Sequence, residues 1–450
     1  MTTIVGISTA LGIGAISIVR ISGPNAVKIA SKVFKGNDLL KTKTHTIHYG
    51  HIVDKKEIID EVLITVMKKP RTYTKEDVIE INCHGGINST NRVLELLLDN
   101  GCELAEPGEF TKRAFLNGRI DLIKAEAVMN LIKAKTDLNR KTALNQLSGQ
   151  MSAKINQIRE NLTKLITNID VNIDYPEYQD VEQIEYKKLK NKIEMIKIEL
   201  NKLYEESKNG RMIEEGIKTV IIGKPNVGKS SLLNQLIEEE KAIVTEIEGT
   251  TRDVVEGKVN VGGILLDIKD TAGIRDTENK IEKIGVEKSF ALIEEAELIL
   301  FVIDHNQKLS DDEKRLLQKV IQKPYIIVIN KKDLPQKVIK KELEKYQTIE
   351  ISTFERISIE NLKEKIKKMF NLEEIEKKDL TYLTSARSIN LLKKALDNIK
   401  DVEKGIKKEV PIDILEIDIK RSWYNLGLIT GQVYDDQLIE QLFKDFCLGK

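Results

Sequence analysis

Cysteine is nearly missing: the 450 residues contain three, Cys83, Cys102 and Cys447. They are too few and too scattered for a disulfide framework, and no C-x-x-C pair points to zinc. The chain therefore reads as a reduced, cytoplasmic protein. Long apolar runs are missing as well. None approaches the ~20 residues that span a bilayer, so no membrane partner is expected. The apolar start, MTTIVGISTALGIGAISIVRISG, has neither a basic leader nor an A-x-A site. Its Ile/Val alternation punctuated by glycine predicts a strand instead of a signal peptide. Nor does either sign of charge dominate: 72 Lys+Arg minus 71 Asp+Glu leaves +1. That excludes a globally basic nucleic-acid binder while leaving room for a local basic surface. What remains, 41% hydrophobic and 32% charged, is the make-up of a globular protein, and the length allows roughly two to four domains.

Proline is scarce too, and its gaps are informative. Between Pro107 and Pro176 there is none, and Ala125, Val128, Met129 and Ile132, then Leu144, Leu147, Met151, Ile155, Ile158, Leu162 and Ile166, recur at helical spacing. This predicts long amphipathic helices. Residues 1–117 mix β-like runs (16–21, 45–53, 62–66, 78–83) with one clear helix at 89–100, a small α+β domain. From Lys218 strand-like runs (219–222, 264–268, 298–303, 325–329, 348–351) alternate with helical segments (229–239, 283–295, 311–322, 359–370). Such alternation argues a parallel sheet with helices on both faces, and Gly262-Gly263 predicts a hairpin adding one antiparallel strand. Helical spacing returns after about residue 372. The fold class is thus α/β + α: an α/β domain at 216–371 inserted into a helical domain (118–215 and 372–450), preceded by the α+β domain. The stretch KNGRMIEEG at 208–216 reads as a linker.

Gly223-Lys224-Pro225-Asn226-Val227-Gly228-Lys229-Ser230 matches G-x-x-x-x-G-K-[ST] between a predicted strand and a predicted helix, the context that motif requires. Its glycines let backbone N–H groups wrap a phosphate at a helix N-terminus. Lys229 is expected on the outer phosphates and the Ser230 hydroxyl on Mg²⁺. Three partners follow in order. TEIEGTTRD at 245–253 offers Thr251 as a second Mg²⁺ hydroxyl, and Asp270-Thr271-Ala272-Gly273 ends a strand near metal and γ-phosphate. In Asn330-Lys331-Lys332-Asp333 a carboxylate can accept from N1–H and the 2-amino group of guanine. Adenine lacks that pattern, so the nucleotide is expected to be GTP. The contacts expected are Asn226, Val227, Gly228, Lys229, Ser230 and Ser231; Thr245, Glu246, Ile247, Glu248, Gly249, Thr250 and Thr251; Asp270 to Gly273, including Thr271 and Ala272; and Asn330, Lys331, Lys332 and Asp333.

The residue after D-x-x-G is Ile274, not the Gln that orients water in Ras-like proteins. Glu278, Glu282 and Glu287 are carboxylates that a loop could deliver, and the residues alone do not choose among them. Arg252 and Arg275 lie in the two switch loops without forming an obvious arginine finger. Asn226 is a neutral oxygen donor where a K⁺ ion could supply the missing positive charge.

With IVRISG at 18–23, EDVIEINCHGG at 76–86, EPGEFTKRAFLNGRIDLIKAEAV at 106–128, LGLITG at 426–431 and FCLGK at 446–450, the whole chain resembles the MnmE (TrmE) family of tRNA modification GTPases. The resemblance implies a homodimer that works with a FAD-dependent partner, MnmG, in a heterotetramer or larger complex. Together they would add an aminomethyl or carboxymethylaminomethyl group to C5 of the tRNA wobble uridine, with a folate such as (6S)-5-formyl-tetrahydrofolate as one-carbon source. It places K⁺ among Asn226, Thr245, Ile247 and Thr250, and Mg²⁺ on Ser230 and Thr251. It selects Glu282 to orient the water through a bridging water. It places folate at Arg20, Glu80, Arg119 and Lys450, where the family often has Lys in place of Arg119, and offers Cys447 as a catalytic thiol. Two departures stand out. The fifth guanine motif, usually Ser-Ala, reads Ser352-Thr353, and LTSARS at 383–388 lacks a terminal His or Arg. Two rivals belong to other functional classes. A ribosome-assembly GTPase that binds RNA calls for an appended KH-like or strongly basic module, and a GTP-regulated scaffold would leave Cys447 and the N-terminal pocket as packing.

Overall fold

The computed structural model describes residues 2–174, 186–241, 257–270, 292–335, 337, 340–372, 380–434, 436–444, 446 and 449. The strands are Ile4–Ile7 (β1), Ile16–Ser22 (β2), Phe34–Lys35 (β3), Thr46–Asp54 (β4), Glu57–Met67 (β5), Val78–His84 (β6), Glu103–Leu104 (β7), Ile217–Ile222 (β8), Gly257–Val261 (β9), Ile264–Asp270 (β10), Leu298–Asp304 (β11), Tyr325–Asn330 (β12) and Thr348–Glu350 (β13). Helices longer than one turn are Ala26–Val33 (α1), Ile87–Asp99 (α2), Glu109–Leu116 (α3), Leu122–Lys133 (α4), Asp137–Ser148 (α5), Gln150–Asp174 (α6), Tyr186–Glu215 (α7), Lys229–Lys241 (α8), Asp311–Val320 (α9), Arg356–Met369 (α10), Ala386–Lys407 (α11), Ile412–Thr430 (α12) and Asp436–Lys444 (α13). The chain divides into two compact units, one of residues 1–132, 146–201 and 390–450, the other of 133–145 and 202–389.

In the first unit the described strands form a sheet of order β3-β4-β5-β6-β2-β1-β7. All its pairs are antiparallel except β1 with β7. Val19 and Ile21, Val62, Ile64 and Val66, and Ile79 and Ile81 share one face and are buried in a core with residues of α1 and α2. The opposite face carries Arg20 beside Glu80 and, farther along, Tyr49 beside Leu63. Ile16, Ile47 and Tyr49 there are more than 60% exposed. The residue pattern predicts one helix in this region; α1 and α3 are additional. Each spans eight residues, about two turns, too short for a 3.6-residue period to stand out. In α3, Arg113 is 5% exposed. It donates to the Thr2 carbonyl at 2.7 Å and pairs with Glu109 at 2.7 Å and Glu76 at 3.3 Å. Farther on, α6 packs against α12. The Arg159 guanidinium lies 4.4 Å from the Trp423 ring centroid, and Trp423 Nε1 donates to Thr163 Oγ1 at 2.9 Å.

The second unit holds a sheet of order β13-β12-β11-β8-β10-β9. It is parallel except for β9, which pairs antiparallel with β10 through the glycine hairpin. Gly262 and Gly263 have φ of +62° and +82°, the left-handed pair such a turn demands. All seven residues of β11 are buried, as a central strand covered on both faces requires. Residues 208–215, expected as linker, are instead the end of α7. Gly210 lies inside that helix because a Cβ there would sit 2.4 Å from the Leu383 carbonyl. Its glycine marks a close approach, not a flexible joint.

Candidate functional site

Three motifs converge at the carboxyl ends of neighbouring parallel strands. The phosphate loop leaves β8, Asp270 ends β10 opposite Ile221, and Asn330 ends β12 opposite Asp304 of β11. From β8 the strand order runs to β10 on one side and β11 on the other. That is a topological switch point, where open α/β sheets bind ligands.

The loop is built for backbone approach. Gly223 has φ +151°, and a Cβ there would fall 2.2 Å from the Val302 carbonyl; Gly228 has φ +96°, and its Cβ would meet Asn330 Nδ2 at 2.2 Å. Lys229, the first residue of α8, folds over the loop and donates to the carbonyls of Gly223 (2.9 Å) and Lys224 (2.7 Å). Val227 is buried, whereas Asn226, Ser230 and Ser231 are exposed. Lys224 is itself tethered to the buried Glu313 at 3.1 Å.

The N-K-K-D segment closes over this loop. Asn330, 1% exposed, donates to the Val227 carbonyl at 2.9 Å and accepts from the Thr353 amide at 3.3 Å. Lys331 donates to the Asn226 carbonyl at 2.8 Å and to Asp304 at 2.7 Å. Lys332 pairs with Glu355. Ser352 donates to Asp333 at 2.8 Å, so the Ser352-Thr353 departure leaves both residues tied to this motif.

Asp304 is the residue that motif reading misses. Burial works against its charge, but the Lys331 ammonium and the Asn306 amide outweigh that, holding the carboxyl below its ordinary 3.8. The available signal was a carboxylate closing the buried run LILFVID. Among the other expected residues, Thr245, Glu246, Ile247, Glu248, Gly249, Thr250, Thr251, Thr271, Ala272, Gly273 and Glu282 lie outside the described residues.

In the first unit, the sheet register sets Arg20 opposite Glu80, and their side chains pair at 2.8 Å. Arg20 also donates to the Gly449 carbonyl at 3.3 Å, as does Ser8 at 3.0 Å. The Arg20 guanidinium lies 5.6 Å from the Phe110 ring centroid. Arg119 instead engages Tyr73, donating to its carbonyl at 2.9 Å and lying 4.8 Å from its ring. Tyr73 packs on the small cluster of Ile4, Ala105 and Phe110, so both arginines border it. Cys447 and Lys450 lie outside the described residues. Cys83 and Cys102 are buried free thiols, and burial pushes Cys102 up to about 12, which leaves it inert.

Comparisons with known proteins point to one family. Residues 3–119 fit the family described as GTP-binding protein TrmE N-terminus, and residues 122–447 fit the MnmE helical domain. The chain is 51% identical over 455 residues to the tRNA modification GTPase MnmE of Ligilactobacillus salivarius (strain UCC118), covering 100% of this chain and 98% of that one. It is 49% identical over 457 residues to the same-named protein of Bacillus cytotoxicus, covering 100% and 99%. Among solved structures it is similar to the FeoB G-domain from Methanococcus jannaschii, at 24% identity and TM-score 0.27, covering 34% of this chain and 98% of that one. No helix among the described residues is long and apolar enough to cross a membrane.

Proposed function

The chain belongs to the MnmE family of tRNA modification GTPases, and from that membership we propose that its GTP hydrolysis is K⁺-activated and drives modification of the tRNA wobble uridine. In this reading it acts in the cytoplasm as a homodimer with the FAD-dependent MnmG, adding an aminomethyl or carboxymethylaminomethyl group at C5. The observation that carries the nucleotide part is the single bonded cluster formed by the phosphate loop and the guanine motif, Val227 to Asn330 and Asn226 to Lys331.

The residues present fit the groups this reading requires. A loop in which a Gly228 Cβ has no room lets phosphate oxygens meet backbone N–H groups. Ser230 offers a hard hydroxyl oxygen of the kind Mg²⁺ takes, with Thr251 as its partner, and the exposed Asn226 offers a neutral oxygen for K⁺. Thr245, Ile247 and Thr250 complete that K⁺ set, and Glu282 orients the attacking water. Bound there, the cations supply positive charge to the phosphates in place of an arginine finger. Ser352 donates to one oxygen of Asp333 and so orients the carboxylate that would meet guanine; its oxygens keep lone pairs for that purpose.

The Arg20–Glu80 pair beside Gly449 supports a tetrahydrofolate site, such as one for the 5-formyl derivative; by family membership Arg119 and Lys450 would contribute to it and Cys447 would be its thiol. Exposed Ile16, Ile47 and Tyr49 on the open sheet face support self-association.

Two measurements test the reading. GTP turnover should be tens-fold or more faster in K⁺ than in Na⁺, since arginine fingers contribute ~10³–10⁵; equal rates would sink the cation mechanism. Cells lacking this protein should lose the wobble modification and regain it with the wild-type chain but not with Cys447→Ser. Full restoration by that variant would remove Cys447 from the chemistry.

A further inference from the structure

One ammonium group, that of Lys331, ties together two residues whose backbones are both left-handed. Asn226 has φ +63° and Lys331 φ +64°, a conformation that residues other than glycine adopt reluctantly. Lys331 Nζ donates to the Asn226 carbonyl at 2.8 Å and, from its other side, to Asp304 Oδ2 at 2.7 Å. The Asp304 side chain is 5% exposed. Its Oδ1 accepts from the Asn306 amide at 2.8 Å, and its Oδ2 also accepts from Gln307 Nε2 at 3.3 Å. Asp304 is therefore locked at the end of β11, and the lysine it grips has little freedom to leave Asn226.

We propose that Asp304 is a positioning residue for cation-stimulated GTP hydrolysis, acting through Lys331 to fix the backbone, and hence the side-chain direction, of Asn226. The inference rests on the reading of Asn226 as a K⁺ ligand and deepens it. A side chain leaves the same Cα as the carbonyl that Lys331 holds. Pinning that carbonyl narrows the cone in which the Asn226 amide oxygen can point. A monovalent ion bound by few neutral oxygens has little enthalpy with which to organise a loose site, so a pre-set donor raises its affinity. The sequence spacing hides the link, because Asp304 lies 78 residues after Asn226 (304 − 226) and belongs to none of the nucleotide motifs.

Asp304→Asn tests this with almost no change of shape. The carboxylate accepts on both oxygens, from Asn306 on one and from Lys331 and Gln307 on the other. An amide has one acceptor and one donor group, so either the Asn306 amide or Lys331 must face an NH₂, and in both cases the ion pair with Lys331 is lost. The experiment measures GTP turnover of the full chain against KCl concentration, beside GDP affinity measured without K⁺. The half-activating K⁺ concentration should rise roughly tenfold, the scale of losing one charge-assisted hydrogen bond. Turnover at saturating K⁺ should largely recover, and GDP affinity should change far less. Asp304→Glu, which keeps the charge but displaces it, should lie between. Asp304→Asn combined with Lys331→Met should shift the K⁺ curve no further than Lys331→Met alone, as expected of residues acting in series.

A wild-type K⁺ curve in Asp304→Asn would overturn the proposal. So would an equal loss of GDP affinity and turnover at every K⁺ concentration, the mark of a merely structural residue. A wild-type chain that is K⁺-stimulated beside an unaltered variant sinks this inference alone. A wild-type chain indifferent to K⁺ versus Na⁺ sinks the cation reading and this inference with it.

Discussion

The side-chain amide of Asn330 donates to the backbone carbonyl of Val227 at 2.9 Å, across 103 residues of sequence. The segment assigned to the base and the loop assigned to the phosphates are thus one hydrogen-bonded object. Because Asn330 Oδ1 also accepts from Thr353, a single buried amide orders three loops at the strand ends.

Asn330→Ala should therefore disturb both fold and ligand. Two buried backbone groups lose their partner, each at a cost of about 1–3 kcal/mol. Urea unfolding should show a destabilisation of that size in the second unit, together with at least tenfold weaker GDP binding. Unchanged GDP affinity in a stably folded variant would separate this bond from nucleotide recognition.

Asp333→Asn should move base preference from guanine toward xanthine. Its new NH₂ can donate to the 2-oxo group of xanthine but clashes with the 2-amino group of guanine. Paired titrations with GTP and XTP read this directly. Full GTP affinity with no gain for XTP would refute the assignment of Asp333.

Arg113→Ala should be among the most destabilising single changes in the first unit. Its guanidinium, 6% exposed, holds Glu76 and Glu109 together. Removing one member of a buried ion cluster costs about 3–5 kcal/mol, because the remaining charges are left without compensation. Denaturant midpoints should show this. Adding Glu76→Gln and Glu109→Gln should return part of the loss, and no return would mean that packing, not charge, is what Arg113 supplies.

His84 should titrate above its ordinary 6.5. The hydrogen bond that its Nδ1 donates to Asp60 raises it first and the Asp60 charge second, across a contact of 2.6 Å. A folded-state value above the unfolded one means that the pair's stabilisation is complete below pH 6.5. It fades as pH rises through the raised value. NMR titration of the imidazole should give that higher midpoint, and Asp60→Asn should bring it down. A wild-type midpoint at or below 6.5 would contradict the pairing.

The legible parts of this chain were those where one local rule sufficed. The buried runs of β11 and β12 are continuous apolar stretches between turns, and the phosphate loop announces itself by glycine spacing. Arg20 and Glu80 were expected together through resemblance, but their contact depends on strand register across 60 residues, which no local pattern carries. Asp304 was invisible for a similar reason. A carboxylate after an apolar strand looks like the start of any loop until Lys331 is brought beside it. The segment 208–216 has the charges and glycines of a joint, but most of it is helix, and Gly210 serves the close approach to the Leu383 carbonyl.

The approach of Gly210 to Leu383 has a further consequence for the order of assembly. Ser207 Oγ accepts from the Leu383 amide at 3.2 Å, so the two ends of the inserted unit meet, although 176 residues (383 − 207) separate them along the chain. Closing a loop of that length in an open chain costs about 4–5 kcal/mol of entropy on the (3/2)RT ln n scaling. Once the inserted unit has folded, that cost is already met. Helices that the ribosome makes far apart, at 186–201 and from 390 onward, then join the first unit as if consecutive. The inserted unit is in this sense a clasp that shortens the polymer between the segments that flank it in sequence.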